Sequence, residues 1–194
     1  MTILTSYYPQ FIPVLKELGK EHQIITLHPA FTKMLQDMDI NANSLSEQSD
    51  ETIRNAALLY SVEVLKKAVT HSPNGTLSKS ASEFMAANIL AYMYNRIGDL
   101  AIVVVTLDKC KPSLVLLQND VDPGNRLCAM WARERNVPCL HVPHAVYMDV
   151  GRGAVGTDIH DIVTATHLAV SGPYQRAWYE ARGVPSIRIH ETGL

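Results

Sequence analysis

Short apolar runs alternate with stretches whose apolar positions recur every three or four residues. "MTILTS" opens the chain as a strand, and the turn-like "YYPQ" follows it. In "FIPVLKELGKEH", Phe11, Val14, Leu15 and Leu18 fall on one helical face, with Gly19 near the end. "QIITLH" is a β-branched strand, so the chain begins β-α-β. "PAFTKMLQDM" predicts a second short helix. The small polar residues of "NANSLSEQSDE" predict a loop leading to Asp50 as a helix cap. Helical spacing then persists over about five turns in "ETIRNAALLYSVEVLKKAVTH". "SPNGTLSKS" interrupts it with Pro73 and Gly75, and a second long helix begins near "SASEFMAANILAYMYNRI". Its tail, "GDLAIVVVTLDKCK", is β-branched from Ile102 to Val105; it reads as a buried helix ending at Lys111-Pro112, with a strand as the alternative.

The second half alternates more cleanly. "SLVLLQ" is a strand, "PGNRLCAMWARERN" a helix and "PCLHV" a strand. The Gly-rich loop "YMDVGRGAVGTDIHD" follows, then strand "THLAVS", helix "GPYQRAWYEARG" with Gly183 at its end, and strand "SIRIHE". Near-continuously apolar short strands separated by helices predict a parallel sheet covered on both faces. The expected fold class is therefore α/β: a three-layer Rossmann-like domain with a mainly parallel sheet, plus a long helical segment at about 50–110. That helical pair is expected either to cover the sheet or to form a dimer surface. No internal repeat, low-complexity tract or flexible linker interrupts residues 1–194, which are expected to form a single domain.

A chain of 194 residues is long enough for one well-buried domain and short for two. Hydrophobic residues make up 47% and charged residues 19%, ordinary values for a globular protein. With 17 Lys+Arg against 19 Asp+Glu the formal charge is -2, which gives no electrostatic reason to expect nucleic acid or a membrane surface as partner. Cys128 and Cys139 sit in apolar surroundings and read as core thiols in a reducing compartment; with Cys110 they share no metal spacing. The amino terminus lacks the pattern of a signal peptide, and "LAIVVVTL" is too short to cross a bilayer. A cytoplasmic location is expected.

In open parallel sheets ligands bind beyond the carboxyl ends of strands. Asn119, Asp120 and Asp122 follow one strand and His144 the next, so neighbouring strands would bring them to one crevice. Each has a plainer role. Asp122 precedes Pro123 and is placed to cap the helix amides. Asn119 and Asp120 either shape the turn or touch a ligand. His141 lies within an apolar strand and reads as a core histidine. His144, after Pro143 and before a Gly-rich loop, is placed to accept a proton or to hydrogen-bond a phosphate. The loop carrying Gly151, Arg152, Gly153 and Gly156 matches neither the dinucleotide fingerprint nor a phosphate loop, and reads as a lid or acceptor-facing loop. His160 and Asp161 either pair with a substrate hydroxyl or serve as capping and surface residues. The eight histidines are scattered, and no metal trio or cofactor motif emerges.

Two segments, "KPSLVLLQNDVDPGNRLCAMWARERNVPCLHVPHAV" and "ATHLAVSGPYQRAWYEARGVPSIRIHETG", together resemble the amino-terminal half of two-domain B-type glycosyltransferases. The flavour is that of the bacterial surface-polysaccharide group, including glycerophosphotransferases, and the layout is similar to that of sugar-nucleotide 2-epimerases. The resemblance covers Lys111 to Gly193. It implies a double Rossmann-like enzyme whose amino-terminal half holds the acceptor, a sugar or polyol, while the other half grips a nucleotide-activated donor. His144 matches the histidine of the family's "HG" motif, where it is base or phosphate contact; here Ala145 stands in place of the glycine. Because the sequence reaches only "ETGL", the donor half is expected on a missing carboxyl-terminal domain or partner chain, and this half alone is expected to show little turnover.

The leading expectation is the acceptor-binding half of a transferase that moves a sugar or glycerol-phosphate group onto an acceptor hydroxyl. His144 is the favoured base, with Asp120 as the alternative, and Asn119, Asp122, Arg152 and His160 are substrate contacts. Half of a nucleotide-sugar 2-epimerase is one alternative, and a non-catalytic binding or dimerisation module is another.

Overall fold

The computed structural model describes residues 1–70, 90–119, 122–143 and 164–193. The chain divides into two units, Met1–Gln48 with Cys110–Leu194, and Ser49–Lys109. Among the described residues are seven strands: β1 (Thr2–Thr5), β2 (Gln23–Thr26), β3 (Ala42–Ser44), β4 (Leu114–Leu117), β5 (Cys139–His141), β6 (His167–Val170) and β7 (Ile189–Glu191). Six α-helices accompany them: α1 (Ile12–Leu18), α2 (Pro29–Gln36), α3 (Glu51–Thr70), α4 (Leu90–Cys110), α5 (Pro123–Glu134) and α6 (Pro173–Glu180).

All seven strands form one sheet in the order β3-β2-β1-β4-β5-β6-β7, and every pairing is parallel. The α/β, Rossmann-like expectation is met, and the sheet is wholly rather than mainly parallel. One strand was not foreseen. "ANS" at 42–44 is too short and too polar to stand out, but its backbone pairs with β2 from Ile24↔Ala42 to Thr26↔Ser44. A sheet edge requires little apolar patterning, so backbone pairing decides there.

The register sorts the side chains onto two faces. Ile3, Ile24, Ala42 and Leu116 share one face and pack with Leu15 of α1 and Phe31 and Leu35 of α2. Val115, Cys139 and Leu168 point the other way. On that side Leu168, Val170 and Ile189 pack against Tyr179 of α6. Helices therefore lie on both faces, as right-handed crossovers between parallel strands require. The ends of α5 and α6 use the left-handed backbone conformation. Asn136 has φ 54° as Val137 N–H reaches back to the Ala132 carbonyl, and Gly183 has φ 85°, a conformation glycine adopts without a steric penalty. Cys128 and Cys139 are buried, as expected of core thiols. Burial, followed by the neighbouring Cys139, pushes the Cys128 thiol far above its ordinary range and keeps it protonated.

In the second unit, Asp50 caps α3 by accepting from Ile53 N–H at 2.9 Å, as its position predicts. The β-branched tail around Ile102 is helical, and Thr106 satisfies its hydroxyl by donating to the Ile102 carbonyl one turn back. Lys109 Nζ donates to the other Asp50 oxygen at 2.8 Å, joining the end of α4 to the start of α3.

That hydrogen bond from Lys109, with the Ile53 amide next, holds the Asp50 carboxyl below its ordinary 3.8. Its folded value is depressed, so the contribution to stability is present above the unfolded value and disappears as the pH falls through the folded one. An NMR titration should place the Asp50 midpoint below 3.8, and Lys109→Met should raise it; an unmoved midpoint would mean the pair does not form in solution.

Candidate functional site

Strand order locates the place where a ligand would be expected. From β1 the chain turns to β2 on one side, while β4 takes the place on the other, so the topological switch point lies between β1 and β4. Hydrogen bonds hold the carboxyl tips of these strands together. Ser6 N–H donates to the Leu116 carbonyl at 3.0 Å, and Gln118 N–H donates to the Ser6 hydroxyl at 3.0 Å. The Gln118 carbonyl accepts from His141 Nε2 at 3.1 Å, which ties in β5. His141 is buried and works as a core histidine that fixes a strand tip, in agreement with its apolar setting.

The turn after β4 is organised by Asn119. Its Oδ1 accepts from Asp122 N–H at 3.1 Å and from Asn125 Nδ2 at 3.3 Å, while its Nδ2 donates to Asp122 Oδ2 at 3.0 Å. Asn119 and Asp122 therefore do meet, but as partners of one another. Asp122 occupies the N-cap position of α5, yet its side chain makes no cap hydrogen bond to the helix amides. The expected cap is corrected to a turn clamp. The carboxylate accepts from the Asn119 side-chain amide instead of from the helix amides. Asp120, His144, Arg152 and His160 lie outside the described residues, as does the Gly-rich loop.

The cavity at the switch point is lined by other residues. A cleft of about 570 Å³ opens beside the strand tips. Its floor is Leu116 of β4, Leu140 of β5 with Val142 just beyond that strand, and Ala169 of β6, and Phe11 and Val14 form one wall. Tyr8 and Gln10 border it after β1, and Thr192 and Gly193 after β7. Neither Asn119 nor Asp122 lines it. The wall is held by aromatic contacts: Tyr8 meets Phe11 edge-on at 4.8 Å between centroids, and the neighbouring Tyr7 meets Phe31 at 5.2 Å. Its volume suits a small organic ligand, and its mostly apolar lining with a few polar groups is the usual make-up of such sites. The sequence reading passed over this cleft, although "YYPQ" follows a strand just as "QNDVD" does. The missing signal was that β1 adjoins β4, which no local pattern carries.

Among the described residues no group of three or more His, Cys, Asp or Glu is placed to hold a metal, and no helix is long and apolar enough to cross a membrane.

No family model and no curated protein matches the chain. Solved structures do. The UDP-GlcNAc 2-epimerase of Neisseria meningitidis, bound to UDP-GlcNAc, superposes with a TM-score of 0.56 at 15% identity, covering 100% of this chain and 46% of its own. The UDP-GlcNAc 2-epimerase of Methanocaldococcus jannaschii gives 0.53 at 14% identity, over 98% of this chain and 44% of its own. Anabaena Alr3699/HepE in complex with UDP-glucose gives 0.52 at 11%, over 100% and 43%. Identities this low establish a shared fold. The layout expected from the resemblance to sugar-nucleotide 2-epimerases is thus present, and the chain spans less than half the length of these structures.

The Asn119 clamp yields a test. Asn119→Ala removes the acceptor for Asp122 N–H and should cost about 1 kcal/mol in urea unfolding. Asn119→Asp keeps that acceptor but sets a second carboxylate against Asp122, and at pH 7 should cost more than the alanine variant. Equal stability of the two variants would mean the clamp is not formed.

Proposed function

We propose that the chain is the acceptor-side half of a nucleotide-sugar enzyme, and that the cleft at the switch point receives the acceptor of a sugar or glycerol-phosphate transfer. The observation that carries this reading is the position of the cleft, beside the β1 and β4 tips, where open parallel sheets bind their ligands. Support also comes from what the structural neighbours hold: UDP-GlcNAc in one case and UDP-glucose in another. An acceptor with an apolar portion would lie on Leu140 and Ala169 and direct its hydroxyl toward Tyr8 and Gln10 on the β1 side of the cleft. His144, which follows β5 in the sequence, is the assigned base, with Asp120 as the alternative. Arg152 and His160 are assigned to substrate phosphate and hydroxyl groups. The donor nucleotide belongs to a second α/β half.

The step removes a proton from the acceptor hydroxyl, forms a bond from its oxygen to the transferred group, and releases the nucleotide as leaving group. Pairing this chain with a nucleotide-binding carboxyl-terminal half and assaying transfer tests the reading. His144→Ala should lower turnover by roughly 10²- to 10⁴-fold, the usual contribution of a general base. Undiminished transfer would remove His144 from the mechanism. Leu140→Glu, which puts a carboxylate on the cleft floor, should raise the KM for acceptor far more than it changes kcat. An unchanged KM would place the acceptor elsewhere.

The second reading is a 2-epimerase, favoured by the neighbours that carry this activity. It requires that the same paired protein convert a sugar nucleotide to its epimer with no acceptor present.

A further inference from the structure

One side-chain cluster does not line the cleft, although it shares the sheet face of the cleft floor and neighbours Leu140 and Ala169 in register. His167 opens β6 and His190 sits in the middle of β7. The register pairs Ala169 with His190, and His167 is two residues before Ala169, so both imidazoles stand on the same face of the sheet. His167 Nδ1 and His190 Nε2 are 3.0 Å apart, with ring centroids at 5.2 Å and planes tilted by 42°. The pair reaches solvent: His190 is exposed and His167 half-buried. Two facing ring nitrogens at this distance must share a single proton or another electrophile, because two lone pairs or two N–H groups would repel.

We propose that His167 and His190 form a two-histidine site for a divalent transition-metal ion. Bonds of about 2.0–2.1 Å from a metal to two imidazole nitrogens set those nitrogens roughly 2.9 Å apart at a right angle and roughly 3.4 Å apart at the tetrahedral angle. The observed 3.0 Å lies between these values and nearer the first, the angle of a square-planar Ni²⁺ or Cu²⁺ site. The ion would take the place of the shared proton, each imidazole turning so that its lone pair points at the metal rather than along the line between the two nitrogens. The scaffold is stiff, since both residues belong to paired strands, with Leu168↔Ile189, Ala169↔His190 and Val170↔Glu191 in register. The nearby cation, Arg188, is directed elsewhere: its guanidinium donates to the carbonyls of Ala165 and Thr166. Two protein ligands leave the remaining positions to water, so the ion would be exchangeable and open to a further ligand. Hard, oxygen-seeking Mg²⁺ should not bind.

Calorimetric titration of the untagged 194-residue chain with Ni²⁺, Cu²⁺, Zn²⁺ and Mg²⁺ tests the site. One equivalent of Ni²⁺ or Cu²⁺ is expected, Zn²⁺ more weakly and Mg²⁺ not at all. His190→Gln and His167→Gln should each weaken Ni²⁺ binding by more than the roughly tenfold that loss of an outer partner already costs. His22→Gln should leave it unchanged. In an NMR titration paramagnetic Ni²⁺ should broaden the ring signals of His167 and His190 first, a readout that needs no variant and so survives misfolding of either one. Absence of Ni²⁺ and Cu²⁺ binding, retention of full affinity in His190→Gln, or broadening centred on other histidines would overturn the proposal.

Discussion

The architecture depends on joining two strands that are far apart in the chain. β1 and β4 pair in parallel, and the hydrogen bond from Gln118 N–H to the Ser6 hydroxyl spans a separation of 112 residues. Closing so long a loop costs entropy that grows only slowly with length, on the order of 0.6 kcal/mol per doubling. A whole helical unit can therefore lie between the two strands without forbidding their contact. What the closure needs is a strong local match. Ile3, Leu4, Val115 and Leu117 supply it as side chains fully removed from water, each worth about 1.5–3 kcal/mol of burial.

Once β1 and β4 are adjacent, the site follows from connectivity. The strand leaving β1 goes one way and the strand leaving β4 the other, so their connections diverge and open a crevice at the tips. Two kinds of chemistry flank that crevice. The polar turn headed by Asn119 spends its hydrogen-bonding capacity on Asp122 and Asn125, which fixes the entry into α5. The cleft beside it is apolar on its floor and keeps Gln10 and Thr192 at the rim. A polar group held by partners already in the protein is a poor candidate for gripping substrate. An apolar floor at a strand edge has no such internal occupation.

Much of this was legible in the sequence where the signal is periodic. The runs that became β1, β2, β4, β5 and β6 each carry consecutive apolar residues, as strands packed on both faces do. The helices announce themselves through spacing, as in Phe11, Leu15 and Leu18. The Asp50 cap was legible as well, since a small acidic residue before a helical run has few other uses. Three features were not. Ala42–Ser44 is a strand because β2 offers it a hydrogen-bonding edge, not because of its side chains. Asp122 sits where a cap belongs but bonds to Asn119, a choice set by geometry at the level of ångströms. The nearness of Tyr8 to Leu116, and of His167 to His190, depends on strand order and register, which only the assembled sheet supplies.

Leu140 gives the most specific physical reason to regard the cleft as a place of binding. It belongs to β5, a strand with β4 on one side and β6 on the other, yet its side chain is only half-buried. Its register partner Leu116, one strand nearer to α1 and α2, is 5% exposed. Parallel sheets occur almost only with both faces covered, so a half-open leucine on an inner strand marks apolar surface that gains free energy when something is laid on it. A second protein layer would meet that demand anywhere along the strands. The opening lies instead at the carboxyl edge, and the residues that frame it, Tyr8, Gln10 and Thr192, carry a phenol, an amide and a hydroxyl. An apolar floor bordered by hydrogen-bonding groups suits a molecule with both apolar and polar parts better than it suits a uniformly apolar helix face. For that reason a bound molecule with both apolar and polar parts, as in the acceptor proposed above, fits this part of the sheet better than a packing layer alone.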